Sequence, residues 1–203
     1  NTIERSGSHL LELINEILDL AKIESGEMDI DCQPTSVSSV CQTSLTFVKR
    51  QAHKKRLKLE VNVPPYLPEL LVDAKRIRQV LINLLNNAVK FTPEGGTINL
   101  DARYVPALGK PLGTEITLET PLQDYLEIVI RDTGIGIAPE HLPKLFQPFV
   151  QIDSSLNRKY EGTGLGLSIT YGIIKKLGGD IKVTSEEGQG STFTIYLPIK
   201  SAT

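Results

Sequence analysis

Residues 162–168 read Gly-Thr-Gly-Leu-Gly-Leu-Ser and begin a predicted helix that runs through Lys176. Glycines at three alternate positions lose much backbone entropy on folding, which makes a purely structural role costly. Backbone N–H groups and the positive end of a helix dipole suit a phosphate group. The stretch is not a Walker A loop, because no Gly-Lys-Ser/Thr follows, and its GxGxG spacing without a directly preceding strand is not the dinucleotide fingerprint. It predicts a phosphate-binding turn, with a structural turn as the alternative.

Upstream of this turn, residues 125–131 form a nearly continuous apolar run that predicts a central strand. The strand leads into residues 132–137, Asp-Thr-Gly-Ile-Gly-Ile. A carboxylate fixed at a strand end can accept a hydrogen bond from an exocyclic amine, and glycines let backbone approach a flat ring. Many tight turns also contain a GxG pair, so this stretch alone leaves both interpretations open.

A second set of polar residues lies on the helix predicted over 74–91, with Asp73 as its N-cap. At 100° per residue, Asn83, Asn87 and Lys90 fall within roughly 60° of one another. They flank an apolar stripe that must face the core, formed by Ile77, Val80, Leu81, Leu84 and Ala88. An amide oxygen can ligate Mg²⁺ while an ammonium contacts phosphate. The alternative is that these amides cap neighbouring backbone or face water.

Between the strand and the glycine turn, residues 145–149 read Leu-Phe-Gln-Pro-Phe and carry two of the five phenylalanines. A polar run over 153–162 follows and includes Arg158 and Lys159. A cationic segment beside a phosphate-binding turn is typical of a lid that closes over a nucleotide. A surface loop with solvated charges remains the alternative.

The other elements follow from periodicity. A helix over 8–25 has two adjacent apolar stripes, which indicates contact with more than one partner helix. Ser/Thr-rich residues 27–44 include a connection, and 105–123 is a predicted exposed loop. Strands are predicted around 57–63, 98–104, 180–185 and 191–197, with a turn over 187–190.

The composition excludes several classes of function. The 203 residues include 22 Lys+Arg and 24 Asp+Glu, so a role based on neutralising nucleic-acid phosphates is not expected. No apolar run is long enough to cross a bilayer. Cys32 and Cys41 have neither zinc-ligand nor disulfide spacing, which predicts simple thiols. The chain starts without Met or a signal peptide, and we expect it to be part of a longer protein.

Taken in order, these motifs resemble the ATP-binding domain of sensor histidine kinases, in the superfamily that includes DNA gyrase and the Hsp90 chaperone. The similar segments are the N box at 83–91, the G1 box at 132–137, the F box at 145–149, the G2 box at 162–167 and a final box at 188–193. The resemblance implies a Bergerat fold, an α/β (α+β) two-layer sandwich with a mixed five-stranded sheet on about three helices. One long N-terminal bundle helix would precede it.

The resemblance divides the chain into two parts. Residues 1–29 would be the second helix of the dimerisation and phosphoacceptor hairpin, and residues 30–203 the ATP-binding catalytic domain. Similarity over 6–30 supports the first part.

The resemblance also implies roles for individual residues. Asn87 would ligate Mg²⁺ with Asn83 close by, Lys90 would contact phosphate, and Phe91 would pack near the base. Asp132 would accept from the adenine amino group. Its support would come from Gly134, Gly136, Ile137 and a water near Thr192. The phosphates would contact Gly162, Thr163, Gly164, Leu165, Gly166 and Leu167. Arg158 or Lys159 would neutralise the charge of the terminal phosphate. Gln151 stands at the position where some relatives have an arginine.

No residue here matches the family's phosphoacceptor histidine, since His9, His53 and His141 lack its motif. The resemblance implies a cytoplasmic ATP–Mg²⁺-binding histidine protein kinase region that contains no catalytic residue of its own. It would act on a separate phosphoacceptor hairpin and, through it, on a response-regulator receiver domain. The full protein would be a homodimer, without nucleic-acid or membrane contact by this part. An ATP-driven conformational clamp and a catalytically inert nucleotide-binding module are the alternatives.

Overall fold

The computed structural model describes residues 2–106, 123–151 and 163–199. The helices are α1 (Thr2–Glu24), α2 (Val37–Lys54), α3 (Ala74–Phe91) and α4 (Gly166–Lys176), with a 3-10 helix at Pro139–Lys144. The strands are β1 (Gln33–Thr35), β2 (Lys58–Asn62), β3 (Leu70–Val72), β4 (Thr97–Val105), β5 (Tyr125–Asp132), β6 (Asp180–Glu186) and β7 (Gly190–Pro198).

Five strands form one mixed sheet in the order β2-β4-β5-β7-β6. Only β2 and β4 are parallel; the other neighbouring pairs are antiparallel. The helices α2, α3 and α4 lie over one face, which confirms the predicted two-layer sandwich with a mixed five-stranded sheet. A separate antiparallel ladder of β1 and β3, which the sequence did not predict, joins the start of α2 to the start of α3.

The core lies between β5 and α3. On β5, the alternate residues Leu126, Ile128 and Ile130 are at most 1% exposed, as expected for a central strand with one face against helices. On α3, Leu81 and Leu85 are fully buried. Burying one such side chain stabilises the fold by about 1.5–3 kcal/mol, so these contacts fix α3 across the sheet.

The helix α2 begins inside the Ser/Thr-rich stretch that was predicted to include a connection. Ser36 caps it, with Oγ accepting from the Ser39 N–H at 3.4 Å. Serine and threonine hydroxyls, which are common in loops, here donate to backbone carbonyls one turn earlier in the helix. Thr43, for example, donates to the Ser39 carbonyl at 2.8 Å. Cys41 is fully buried on the core face, and this burial raises the pKa of its thiol to about 12.

The first helix contacts the sandwich through its C-terminal part. Ile23 lies against Gly172 of α4, where an added methyl group would overlap it. Asp19 accepts hydrogen bonds from Arg76 at 3.1 Å and Gln79 at 2.8 Å, which joins α1 to α3. Five apolar side chains of the predicted stripes are 44–62% exposed: Leu10, Leu11, Ile14, Ile17 and Leu18. Across the described ranges, no helix combines the length and apolar character that a membrane span requires.

Candidate functional site

The helix α3 reaches both glycine-containing turns. Near its C-terminus, the Phe91 carbonyl accepts a hydrogen bond from the Ile135 N–H at 3.2 Å. Nearer its middle, Asn83 packs against Gly166, where an added Cβ would lie only 2.9 Å from the amide nitrogen. Eight residues of helix separate these contacts by about 12 Å. The motifs that lie far apart in sequence therefore meet at α3, and we call the space between the two turns the candidate cleft.

Asp132 ends β5 at one side of this cleft and is only 6% exposed. Its Oδ1 accepts from the backbone N–H groups of Gly134 at 2.8 Å and Ser191 at 3.3 Å. Burial raises the pKa of Asp132, and the two backbone hydrogen bonds oppose that rise. Within the described residues, Oδ2 accepts no hydrogen bond. One carboxylate oxygen is thus fixed and the other is available to an amine donor.

The turn after Asp132 requires glycine. At Gly134, an added Cβ would lie 2.5 Å from Asp132 Oδ1 and 2.8 Å from the Phe91 carbonyl oxygen. Gly136 has a φ of +69° and packs directly on the Glu186 carbonyl. The next residue, Ile137, is half-buried and donates its N–H to Ser185 Oγ at 2.8 Å. This close packing holds the turn against the ends of α3 and β6.

Ser191, not Thr192, is the β7 residue beside Asp132. The register pairs Asp132 with Ser191, and Arg131 with Thr192. Neighbouring residues of a strand point to opposite faces, so Thr192 lies on the face away from the Asp132 side chain. The structure therefore does not bring Thr192 to the site. Ser191 is the position that could support a water beside the carboxylate, and the motif match missed it by one residue.

The amide side chains on the polar side of α3 differ in their hydrogen-bond partners. Asn83 donates through Nδ2 to Thr170 Oγ1 at 2.7 Å, so its amide is partly used to join α3 and α4. Asn87, one turn further on, is half-buried, and its side chain makes no hydrogen bond within the described residues. Its oxygen is consequently the α3 amide oxygen best placed to serve a ligand.

At the end of α3, the Lys90 ammonium lies 4.8 Å from the centre of the Phe91 ring. Partial burial lowers the pKa of Lys90. A phosphate group beside it would restore a favourable environment for the charged form. Lys55, which sequence analysis did not select, donates through Nζ to the carbonyls of Val89 at 2.7 Å and Lys90 at 3.0 Å. It therefore fixes the last turn of α3, as cations near helix C-termini commonly do.

The second glycine turn contacts the F-box segment. The Phe149 N–H donates to the Gly164 carbonyl at 3.0 Å, and both residues have positive φ, +62° and +73° respectively. Thr163 Oγ1 accepts the Leu165 N–H at 3.1 Å. Among the described residues no side chain caps α4, whose first residues are Gly166 and Leu167. The first-turn N–H groups of α4 are thus available to an anion.

Three predicted site residues, Arg158, Lys159 and Gly162, lie outside the described residues, as does the proposed lid. Within the described part, no group of three or more His, Cys, Asp or Glu side chains could hold a metal ion. A metal at Asn87 would take one amide oxygen from the protein. That donor suits Mg²⁺, which commonly shares its ligands among protein, water and nucleotide phosphates.

The chain is similar to known proteins in sequence and in structure. Residues 72–201 match the family described as histidine kinase-, DNA gyrase B-, and HSP90-like ATPase. The hybrid signal transduction histidine kinase B of Dictyostelium discoideum is 40% identical over 199 residues, which are 98% of this chain and 9% of that protein.

Two solved structures are also similar. The crystal structure of full-length ShkA in complex with AMPPNP has a TM-score of 0.79 and 30% identity, covering 100% of this chain and 38% of the ShkA chain. The nucleotide-free catalytic domain of the histidine kinase ThkA has a TM-score of 0.64 and 25% identity, covering 85% of this chain and 99% of that one.

The chain thus spans about a tenth of hybrid kinase B and less than two fifths of ShkA. The family match runs from the end of β3 through β7 and includes α3, both glycine turns and Asp132. Because the matched residues are well over half of the sequence, the chain belongs to the histidine kinase-, DNA gyrase B- and HSP90-like ATPase family.

Proposed function

We propose that this chain binds ATP with Mg²⁺ in the cleft along α3 and serves as the catalytic region of a two-component sensor histidine kinase. The γ-phosphoryl group would pass to a histidine of a separate acceptor hairpin and then to a response-regulator aspartate. The observation that carries the proposal is the pairing of an available Asp132 oxygen at one end of the cleft with an uncapped, glycine-rich helix start at the other.

At the base end, Asp132 Oδ2 accepts the adenine 6-amino group, while the Gly134 and Ser191 N–H groups hold the other oxygen. The absence of a Cβ at Gly134 lets the turn pack against Asp132 Oδ1 and the Phe91 carbonyl, which holds this carboxylate in place. Phe91, half-buried at the end of α3, packs near the base. A purine with a 6-amino group is selected because a 6-oxo group would place two acceptors against each other.

At the phosphate end, the first-turn N–H groups of α4 and the Lys90 ammonium neutralise phosphate charge. Asn87 supplies its side-chain oxygen to the metal, and Asn83 orients this region through Thr170. Bound Mg²⁺ would neutralise charge on the phosphates. Arg158 or Lys159 would neutralise charge on the terminal phosphate. The protein's part in transfer is therefore to position the γ-phosphate and to stabilise its charge.

The histidine kinase assignment is supported by the relatives. Hybrid kinase B and ThkA are named as histidine kinases, and the ShkA structure is a complex with AMPPNP. We assign residues 1–29 to the hairpin and 30–203 to the catalytic domain. The exposed apolar stripes of α1 suit packing against the other helix of such a hairpin and against a second copy in a homodimer. The partners are that hairpin and a receiver domain, and we expect the protein to act in the cytoplasm.

The test mixes the chain with γ-labelled ATP, Mg²⁺ and a separately purified acceptor hairpin. We expect acid-labile label on the hairpin, because phosphohistidine is acid-labile. ATP turnover without any acceptor would instead favour the clamp ATPase. Nucleotide binding with no transfer to the hairpin would favour the inert module.

A further inference from the structure

A second concave surface lies between α2 and β2, away from the residues of the nucleotide cleft. Its volume is about 450 Å³, within the usual range of ligand and peptide sites. We call it the α2–β2 groove. Its lining residues are Lys49, Arg50, Ala52, His53, Leu57 and Leu59.

The groove has a cationic wall. Residues 49–58 read KRQAHKKRLK and contain six of the 22 Lys+Arg residues of a chain whose net charge is −2. Three of these cations have partners. Arg56 pairs with Glu94 at 3.0 Å, Lys58 pairs with Glu60 at 2.5 Å, and Lys55 bonds the end of α3. The segment is thus only partly neutralised by the protein.

Two cations line the groove itself, Lys49 and Arg50. Both are exposed, as is the neighbouring His53, and no carboxylate in the described part of the chain pairs with any of the three. The floor beneath them is apolar: Ala52 is fully buried and Leu57 is 8% exposed. A ligand that is both anionic and apolar would complement this surface.

The open edge of the sheet supplies hydrogen bonds to the same groove. β2 is the terminal strand, and its Lys58 N–H donates to the Gly96 carbonyl at 2.9 Å, towards β4. Because backbone groups alternate in direction, those of Leu59 and Val61 point away from β4. Val61 is 48% exposed on the same strand face as Leu59. Within the described ranges, this edge therefore offers unpaired donors and acceptors beside apolar side chains.

Charged residues on an edge strand usually discourage pairing with other chains. Here Lys58 and Glu60 lie on the strand face opposite Leu59 and form an ion pair with each other. Their charges are consequently directed away from the groove. On the groove side, β2 therefore keeps an apolar edge with which another strand can pair.

We propose that the α2–β2 groove is a docking site for an acidic peptide segment of a partner protein, which adds as a strand to the open edge of β2. Its apolar side chains contact Leu57, Leu59 and Val61, and its carboxylates face Lys49, Arg50 and His53. An extended chain uses the backbone edge, the apolar floor and the cationic wall together. A bilayer or a duplex would use only the cations. The proposal is independent of nucleotide binding.

The probe is a labelled peptide of alternating glutamate and valine, titrated with the chain and followed by fluorescence anisotropy. We expect saturable binding that weakens with salt, and no binding by the lysine–valine counterpart. The double variant Lys49→Glu/Arg50→Glu should weaken binding by at least about tenfold. The charge-matched control Lys75→Glu/Lys144→Glu changes two exposed lysines elsewhere and should bind as the original chain does.

Strand addition is tested separately. Val61→Pro removes a backbone donor on the open edge and leaves the bonds to β4 intact, so it should abolish peptide binding without preventing nucleotide binding. N-methylation of alternate peptide residues blocks the same hydrogen bonds without changing the protein. Unchanged affinity in either test overturns the proposal. Peptide binding that is unchanged in the Lys49→Glu/Arg50→Glu variant also overturns the proposal. Binding of phosphatidylglycerol vesicles or duplex DNA in place of the peptide overturns it as well.

Discussion

The Asn83 side-chain amide donates to Thr170 Oγ1 at 2.7 Å and so joins the middle of α3 to the first turns of α4. Thr170 is 1% exposed, so water cannot replace the hydroxyl. The hydrogen bond also sets the position of Gly166, which packs on the same amide. The phosphate end of the cleft therefore depends on a contact between two helices.

Thr170→Val removes the acceptor while keeping the side-chain shape. A buried donor without a partner costs about 1–3 kcal/mol, and we expect that loss in the free energy of unfolding measured with urea. Affinity for a non-hydrolysable ATP analogue should fall as well, because α4 is less well positioned. Thr170→Ser retains the hydroxyl and should restore nucleotide affinity; equal affinity in the valine and serine variants would refute the positioning role.

Asp132→Asn should reduce discrimination between adenine nucleotides and analogues without the 6-amino group. A hydrogen bond to a charged group contributes about 1.5–3 kcal/mol, equivalent to roughly tenfold to a hundredfold in affinity. Calorimetry with both nucleotides measures the ratio for each protein. If the variant keeps the affinity ratio of the original chain, a group other than Asp132 recognises the base.

Asp132 also predicts opposite pH trends for stability and for binding. Burial raises its pKa in the folded chain above the ordinary value of 3.8. The folded chain therefore holds the proton more tightly than the unfolded chain. The stabilisation from this proton is complete below the unfolded pKa and is lost as pH rises through the folded pKa.

The free energy of unfolding, relative to Asp132→Asn, should thus decrease with rising pH across that window. Affinity for adenine nucleotide should increase across it, because the carboxylate is the better acceptor. Urea denaturation and calorimetry at several pH values check the two trends. Parallel trends would contradict the assignment of Asp132 as the base acceptor.

Asn87→Ala should remove the Mg²⁺-dependent part of nucleotide affinity and leave the Mg²⁺-free affinity nearly unchanged. Even outer-shell partners of a metal contribute about 10–100-fold, so the expected loss is at least about tenfold. The adjacent Asn86, which is exposed, provides the matched control Asn86→Ala. Equal Mg²⁺ dependence in the two variants would rule out Asn87 as the ligand.

Gly164→Ala tests the second glycine turn. Gly164 and Gly26 both have positive φ, +73° and +79°, so alanine at either position costs about 1–2 kcal/mol in backbone strain. An added Cβ at Gly164 would lie 3.1 Å from the Phe149 backbone, whereas the space around Gly26, at the end of α1, is open. Nucleotide affinity should fall only for Gly164→Ala. A similar decrease in Gly26→Ala would indicate a general effect of lost stability.

Local signals were sufficient to predict α3 to the residue. The Asp73 side chain caps it by accepting from the Arg76 N–H at 3.0 Å, and Thr92 before Pro93 ends it. The helix α2 was not predicted, because the hydroxyl side chains of its first half resemble a loop when their carbonyl partners are unknown. The β1–β3 ladder was missed because its strands have three residues each, too few to show alternation.

The motifs singled out Asp132, Asn83 and Gly166, which the fold brings to α3 and the two turns, but not the residues that support them. Ser191 was missed because a one-residue difference in register exchanges the two faces of a strand, and register depends on the partner strand. Lys55 was missed because its carbonyl acceptors are more than 30 residues away in sequence. Such contacts arise from the tertiary fold and leave no local pattern.

Calorimetric titration of the chain with AMPPNP in the presence of Mg²⁺ measures nucleotide binding at the candidate site without any acceptor. We expect saturable one-to-one binding, weakened both by removal of Mg²⁺ and by Asp132→Asn. Heat changes no larger than those of dilution, from protein whose folded state is verified by circular dichroism, would show that the site along α3 does not bind the nucleotide.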